Sequence, residues 1–217
     1  MYPFWHNFSM WSTGKIYVTL YIMDTADLKI IEGKLPILLS APHTYSHKRP
    51  SLSGSYKGGE ACTDTIVEKI CLDINCFGIM QIAETSYDPN YHKEKNNPYK
   101  QEAKEVIRVG KIKNFIDIHG LRDGAGYDIG IYYPTRFDRS MAFAQSISEG
   151  LIKGELKGAS IFLFRFLDND QETLGEYVAS KLRVTSVQIE IARYIREDEI
   201  LRNAFIENLG KILKEKI

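Results

Sequence analysis

An α/β fold, with a mixed, mostly parallel sheet flanked by helices, is what this sequence predicts. Three observations carry the prediction. Short continuous apolar runs, as in LPILLSAP, mark strands buried on both faces. Segments with apolar residues at helical spacing stand between such runs. The two kinds alternate over most of the chain, which is the pattern of helices packed on a sheet. No repeat, low-complexity stretch or internal linker interrupts it, so residues 1–217 are expected to form one domain.

The elements follow in order. KIYVTLYIM alternates enough for a strand, and DLKIIEG makes a second, with DTAD as the turn between them. LPILLSAP is a buried strand. HTYSHKRPSLSGSYKGGE is polar and rich in Gly, Ser and basic residues, so it reads as a long loop, a length that often signals function. EACTDTIVEKICLDI places Ile66, Val67, Ile70 and Cys71 on one helical face, with Glu60 and Asp64 in or near the first turn. GIMQIAE is a strand, TSYDPNYHKEKNNPY a polar loop, and KQEAKEVIRVGKI a helix with a charged outer face. NFIDIHG is a strand that ends on Asp117, His119 and Gly120. LRDGAG is a glycine-rich turn, YDIGIYY a strand, RFDRSMAFAQSISEGLI a helix and ASIFLFRFL an apolar, β-rich run. QETLGEYVASKL is a short helix, VTSVQIEIARYI begins as a strand, and the chain closes on an amphipathic helix from EDEILRNAFIENL onward.

Composition narrows the function. Lys plus Arg and Asp plus Glu number 28 each, so net charge is zero, which argues against a nucleic-acid partner. No run approaches the roughly 18 apolar residues of a membrane span. The start, MYPFWHNFSMWSTGK, lacks the basic opening and apolar run of a signal peptide, and residues 1–14 are expected to be an arm. Its two tryptophans would pack on the domain or on a second copy of the chain, so a homo-oligomer is one expectation. Cys62, Cys71 and Cys76 are odd in number and form no CxxC pair, which fits small buried thiols in a reducing, cytoplasmic setting.

Open α/β sheets bind ligands beyond the carboxyl ends of their strands. Three such ends carry polar chemistry: His43 after LPILLSAP; Asp117, His119 and Gly120 in NFIDIHG; and Glu190 and Arg193 in VQIEIAR. Two imidazoles and a carboxylate make an open catalytic zinc site, which leaves the fourth position to water. Glu60 and Asp64, at the start of the helix that follows the His43 loop, are the candidate carboxylates. Asp117, two residues before His119 and on the same strand face, would hold the other ring nitrogen. Glu190, in a buried strand, would have a raised pKa and serve as general base. Arg193, Lys48, Arg49, Arg122 or Arg136 would hold a substrate carboxylate. Each residue also has a purely structural reading. Asp117 can pair with His119 in the core, Glu60 and Asp64 can favour a helix start through its dipole, and Glu190 can bridge to Arg193. No GxGxxG or GxxxxGK[ST] follows a strand, so a nucleotide-binding site is not expected. Manganese or iron would suit the same donors as zinc.

Four stretches in order, PILLSAPH with HKRP, GEACTDTI, IDIHG followed by YDIGI, and VQIEIARYIR, resemble the N-formylglutamate amidohydrolase family over roughly residues 34 to 200. The resemblance implies a fold similar to zinc carboxypeptidases and hydrolysis of an N-formyl or N-acyl amino acid, such as N-formylglutamate, or of a small peptide-like amide. It implies zinc on His43, His119 and Glu60, with Asp64 of the Thr63-Asp64 pair as the rival carboxylate, Glu190 as base and Arg193 after it. The chain departs from the family in the loop KNNPYK, which has Asn96 and Asn97 but no arginine, and in TYSHKRP after Pro42-His43. The substrate therefore stays open; Arg49, Asn97, Arg122 and Arg136 are the expected substrate-binding residues. A non-catalytic relative that binds a small anion is the alternative.

Overall fold

The computed structural model describes residues 22–24, 27–50, 55–134, 137–166 and 172–215. The N-terminal arm with both tryptophans, most of the KIYVTLYIM strand, the middle of the DTAD turn and Arg136 lie outside the described residues. In chain order the elements are β1 (Ile22–Asp24), β2 (Leu28–Ile31), β3 (Leu35–Ala41), β4 (His47–Lys48), β5 (Tyr56–Lys57), α1 (Thr63–Ile74), β6 (Cys76–Gln81), α2 (Pro98–Val109), β7 (Asn114–Gly120), β8 (Ile129–Tyr133), α3 (Asp138–Leu151), β9 (Ile161–Arg165), α4 (Leu174–Lys181), β10 (Thr185–Ile191), α5 (Arg193–Glu197) and α6 (Glu199–Glu215). Eight strands form one sheet in the order β1-β2-β6-β3-β7-β10-β8-β9. Its centre, β6-β3-β7-β10, is parallel throughout, whereas β2 and β8 run antiparallel to their inner neighbours.

Period-two alternation along the central strands divides the core in two. Ile37, Leu39, Ile116, Ile118, Val187 and Ile189 face α1, α3 and α6, where Ile66, Phe143 and Phe205 meet them. Leu38 and Phe115 face α2 and α4, where Tyr99, Ala103 and Val178 meet them. Burying each large side chain of this kind stabilises by roughly 1.5–3 kcal/mol, which explains why these strands read as continuous apolar runs.

On the α2/α4 face the chemistry changes along each strand. In β7 the residues on this face are Phe115, Asp117 and His119, so one row runs from core into polar groups. Gln188 and Glu190 of β10 are register partners of Asp117 and His119. From β3 the chain crosses through α1 to β6 on one side, then returns through α2 to β7 on the other. The winding therefore reverses between β3 and β7, the position where open sheets leave a crevice.

The long loop after β3 is not featureless, as its composition suggests. His47 and Lys48 pair with Lys57 and Tyr56 in a two-stranded ribbon, and His47 also bridges to Thr85. Two-residue strands are too short to leave a periodic signal. Among the described residues, no helix is long and apolar enough to cross a membrane.

Candidate active site

His43 leaves the end of β3, His119 is the last residue but one of β7, and Glu60 sits just before α1. Their rings and carboxylate converge. His43 Nδ1 lies 3.6 Å from Glu60 Oε1, and His119 Nδ1 lies 3.3 Å from Glu60 Oε2. The two ring centroids are 4.9 Å apart in an edge-to-face arrangement. All three residues are almost fully buried: His43 is 1% exposed, His119 3% and Glu60 9%. The backbone holds Glu60 in place, because its N–H donates to the His43 carbonyl and the Gly120 N–H donates to its Oε2. Gly59 lets this happen, since a Cβ there would stand 2.3 Å from the Thr44 carbonyl oxygen.

Behind each imidazole stands an acid. His119 Nε2 is 3.0 Å from Asp117 Oδ2, and His43 Nε2 is 2.9 Å from Asp88 Oδ1. Both rings thus commit Nε2 outward and turn Nδ1 inward, an arrangement in which a carboxylate orients a ligating histidine. Burial works against charge on His119, but Asp117 and Glu60 outweigh it and hold its pKa well above the usual value. Burial likewise pushes the Glu60 carboxyl up, yet His119 and His43 outweigh it and hold it well below the carboxylate range.

These residues fit a metal ion. His43 Nδ1 is buried and has no hydrogen-bond partner. A buried nitrogen of this kind is costly unless something occupies its lone pair. The candidate ligand atoms lie within 4.8 Å of one another. Zinc bonded at about 2.05 Å would have tetrahedral edges of about 3.3 Å, close to the two His–Glu separations. A second cluster, His43, His47 and Asp88, is less open: Asp88 already accepts from Arg49 Nε and from the Asn90 N–H. His43, Glu60 and His119 instead line a cleft of about 280 Å³ together with Arg49, Arg122, Gln188 and Glu190.

Glu190 is half-buried across from His119. Its pKa is raised, chiefly by burial, and Gln188 Nε2 donates to its Oε1 at 3.0 Å. Arg122 and Arg49 line the cleft, and Arg49 also lies over the Tyr91 ring. Three expected residues are placed elsewhere. Arg193 is exposed at the start of α5 and pairs with Glu197 rather than Glu190. Asn97 is buried as the N-cap of α2, where its side chain accepts from the Lys100 N–H and donates to Pro89 and His92 carbonyls. Asp64 accepts from the Thr65 N–H in the first turn of α1, outside the cluster.

Sequence reasoning missed Asp88, Gln188, Lys57 and Arg196. Gln188 was legible, because it stands two residues before Glu190 just as Asp117 stands before His119. Asp88 left no signal, being a single acid in an irregular polar loop. Lys57 Nζ is 3.5 Å from Glu60 Oε1. Arg196 is buried, donates to the Ile191 and Ala61 carbonyls, and so ties α5 to the Glu60 loop.

No family model and no curated protein matches the chain. Solved structures do. A metallo-carboxypeptidase from Burkholderia cenocepacia superposes with a TM-score of 0.57 at 10% identity, covering 88% of this chain and 61% of that one. The fold is similar to zinc-carboxypeptidase-like folds. A succinylglutamate desuccinylase from Vibrio parahaemolyticus gives 0.57 at 15% identity, over 90% of this chain. This chain spans 64% of that desuccinylase's length. An N-acetylmuramoyl-L-alanine amidase from Nostoc punctiforme gives 0.51 at 15% identity, covering 85% and 98%.

Proposed function

We propose that the protein is a metal-dependent amide hydrolase whose substrate is an N-acyl amino acid, N-formylglutamate among them, or a small peptide-like amide. The observation that carries this reading is the convergence of His43, Glu60 and His119 on one cleft, with Glu190 on the neighbouring strand. The similarity in fold to a desuccinylase, an amidase and a carboxypeptidase, each named for cleaving a C–N bond, supports it.

His43 Nδ1, His119 Nδ1 and a Glu60 oxygen would hold the ion, zinc by donor type. When bound there, zinc supplies Lewis acidity to the amide carbonyl and to water. Glu190 takes the proton of the attacking water and hands it to the leaving nitrogen. Gln188 keeps that carboxylate aimed by donating to Oε1. Arg122 and Arg49, on the cleft wall, suit a substrate carboxylate. Asp117 and Asp88 keep both imidazoles turned inward.

The test joins metal content to turnover. The purified protein is expected to hold about one zinc per chain, lost in His119→Ala. Glu190→Gln is expected to keep the metal and lose at least 100-fold in kcat on N-acyl amino acids. Parent-level turnover in Glu190→Gln would remove the base assignment. The cationic cleft wall favours one second reading, a binder of small anions. A metal-free, fully stable protein that binds carboxylates without cleaving amides would establish it.

A further inference from the structure

Beyond Glu190 the same face of the sheet carries aromatic side chains out to the edge strand. His119 pairs in register with Glu190, Glu190 with Gly130, and Gly130 with Phe162. The next row runs from Asp117 through Gln188 and Tyr132 to Phe164. Paired residues share a face, so the polar groups and the rings form one surface. Strands sit about 4.8 Å apart, which puts Phe162 about 10 Å from Glu190 along it.

The rings are mutually packed. Tyr132 stacks on Phe164 at 4.9 Å, Tyr127 lies 5.2 Å from Phe164 and 5.4 Å from Phe162, and the Tyr127 and Tyr132 hydroxyls are 2.9 Å apart. Gly130 permits this, since a Cβ there would stand 2.9 Å from the Tyr132 ring and 3.0 Å from that of Tyr127. The shelf is built and partly open to solvent: Phe162 is 50% exposed, while Tyr127, Tyr132 and Phe164 are half-buried. Exposed apolar surface marks ligand-binding grooves as well as protein contacts, and here it adjoins a cleft, which favours a ligand. Two contacts join shelf to cleft. The Tyr132 hydroxyl lies beside the Glu190 carboxylate. Arg122 lines both the catalytic cleft and a neighbouring hollow walled by Tyr127.

We propose that the shelf of Tyr127, Tyr132, Phe162 and Phe164 binds an aromatic side chain on the amine half of the substrate. The inference rests on the hydrolase reading above. The leaving nitrogen receives its proton from Glu190, so it lies on Glu190's side of the site. The shelf begins there, and Arg122 stands near enough to take the carboxylate of the same half. An amine half with a ring fills a surface that a formyl or acetyl group on the far side would leave bare.

The test compares N-acetylphenylalanine with N-acetylalanine in the zinc-loaded protein and in Phe162→Ser and Phe164→Ser. Binding of free phenylalanine and alanine is followed by calorimetry in the same variants. The parent is expected to prefer the phenylalanine amide by roughly tenfold in kcat/KM, and the variants to bring that ratio toward one. Free phenylalanine should bind the variants more weakly than the parent. Hydrolysis of both amides with the ratio unchanged in variants of native circular dichroism keeps the hydrolase and overturns the shelf. So does a change in sedimentation from dimer to monomer with the ratio unchanged, which would make the shelf a contact between copies. Phenylalanine binding that weakens in the variants while neither amide is cleaved sustains the shelf and removes the hydrolase.

Discussion

Glu190 shows how one position acquires its chemistry. It lies in an apolar strand, so burial raises its pKa above that of an ordinary glutamate, while His119 and Gln188 pull in the other direction. A base must be unprotonated to act. In metal-free protein the Glu190 carboxyl should therefore carry its full charge only above a pKa higher than the ordinary value of about 4.3, and lose it as pH drops through that raised pKa. A carboxyl NMR titration of the metal-free protein checks this, and a midpoint at or below the ordinary glutamate value would contradict it. His43 and His119 gain their roles differently. Neither is unusual by itself, and each becomes a ligand candidate because an acid occupies Nε2 and turns Nδ1 toward Glu60. Arg193 shows the opposite outcome. It follows the same strand, but the chain turns into α5 at that residue and the guanidinium swings out to Glu197.

At the scale of elements, the site depends on how helices and loops are pinned beside it. α4 begins with a capping box in which Thr173 Oγ1 accepts from the Glu176 N–H and the Glu176 carboxylate accepts from the Thr173 N–H. Thr173 lines the cleft, and the Leu174 N–H donates to Asn90 Oδ1 in the loop that carries Asp88. The cap thus fixes both a helix end and the loop behind His43. Thr173→Ala should lower stability by about 1 kcal/mol in urea unfolding. An unchanged midpoint would mean that packing, not the cap, sets the start of α4. α2 is started by Asn97 and Pro98 in the same manner. That explains why KNNPYK is poor in substrate-binding groups: its second asparagine is spent on satisfying backbone.

For the molecule as a whole, Asp88 ties loop to core and sets the behaviour in acid. Burial pushes its carboxyl up, but His43, His47 and Arg49 outweigh this and hold it well below the carboxylate range. A depressed acid stabilises fully above its unfolded pKa, about 3.9, and loses that contribution as pH falls toward the folded value. In metal-free protein, Asp88→Asn should cost about 3 kcal/mol at pH 7, and the gap to the parent should narrow below about pH 4. Thermal unfolding of both proteins at pH 3, 5 and 7 checks it; a gap that widens in acid would show that Asp88 is not held as its charged form. The sequence by itself determined the alternation of strands and helices, since apolar runs and helical spacing are local patterns that burial enforces. It also determined which strand ends bear His43, His119 and Glu190, because a polar group closing an apolar run stands out. Only the tertiary structure decided that Glu60 rather than Asp64 joins the imidazoles, and that Asp88 stands behind His43. The same is true of the aromatic surface leading away from Glu190. These depend on which strands become neighbours and where irregular loops return, and such long-range pairings leave no periodic trace along the chain.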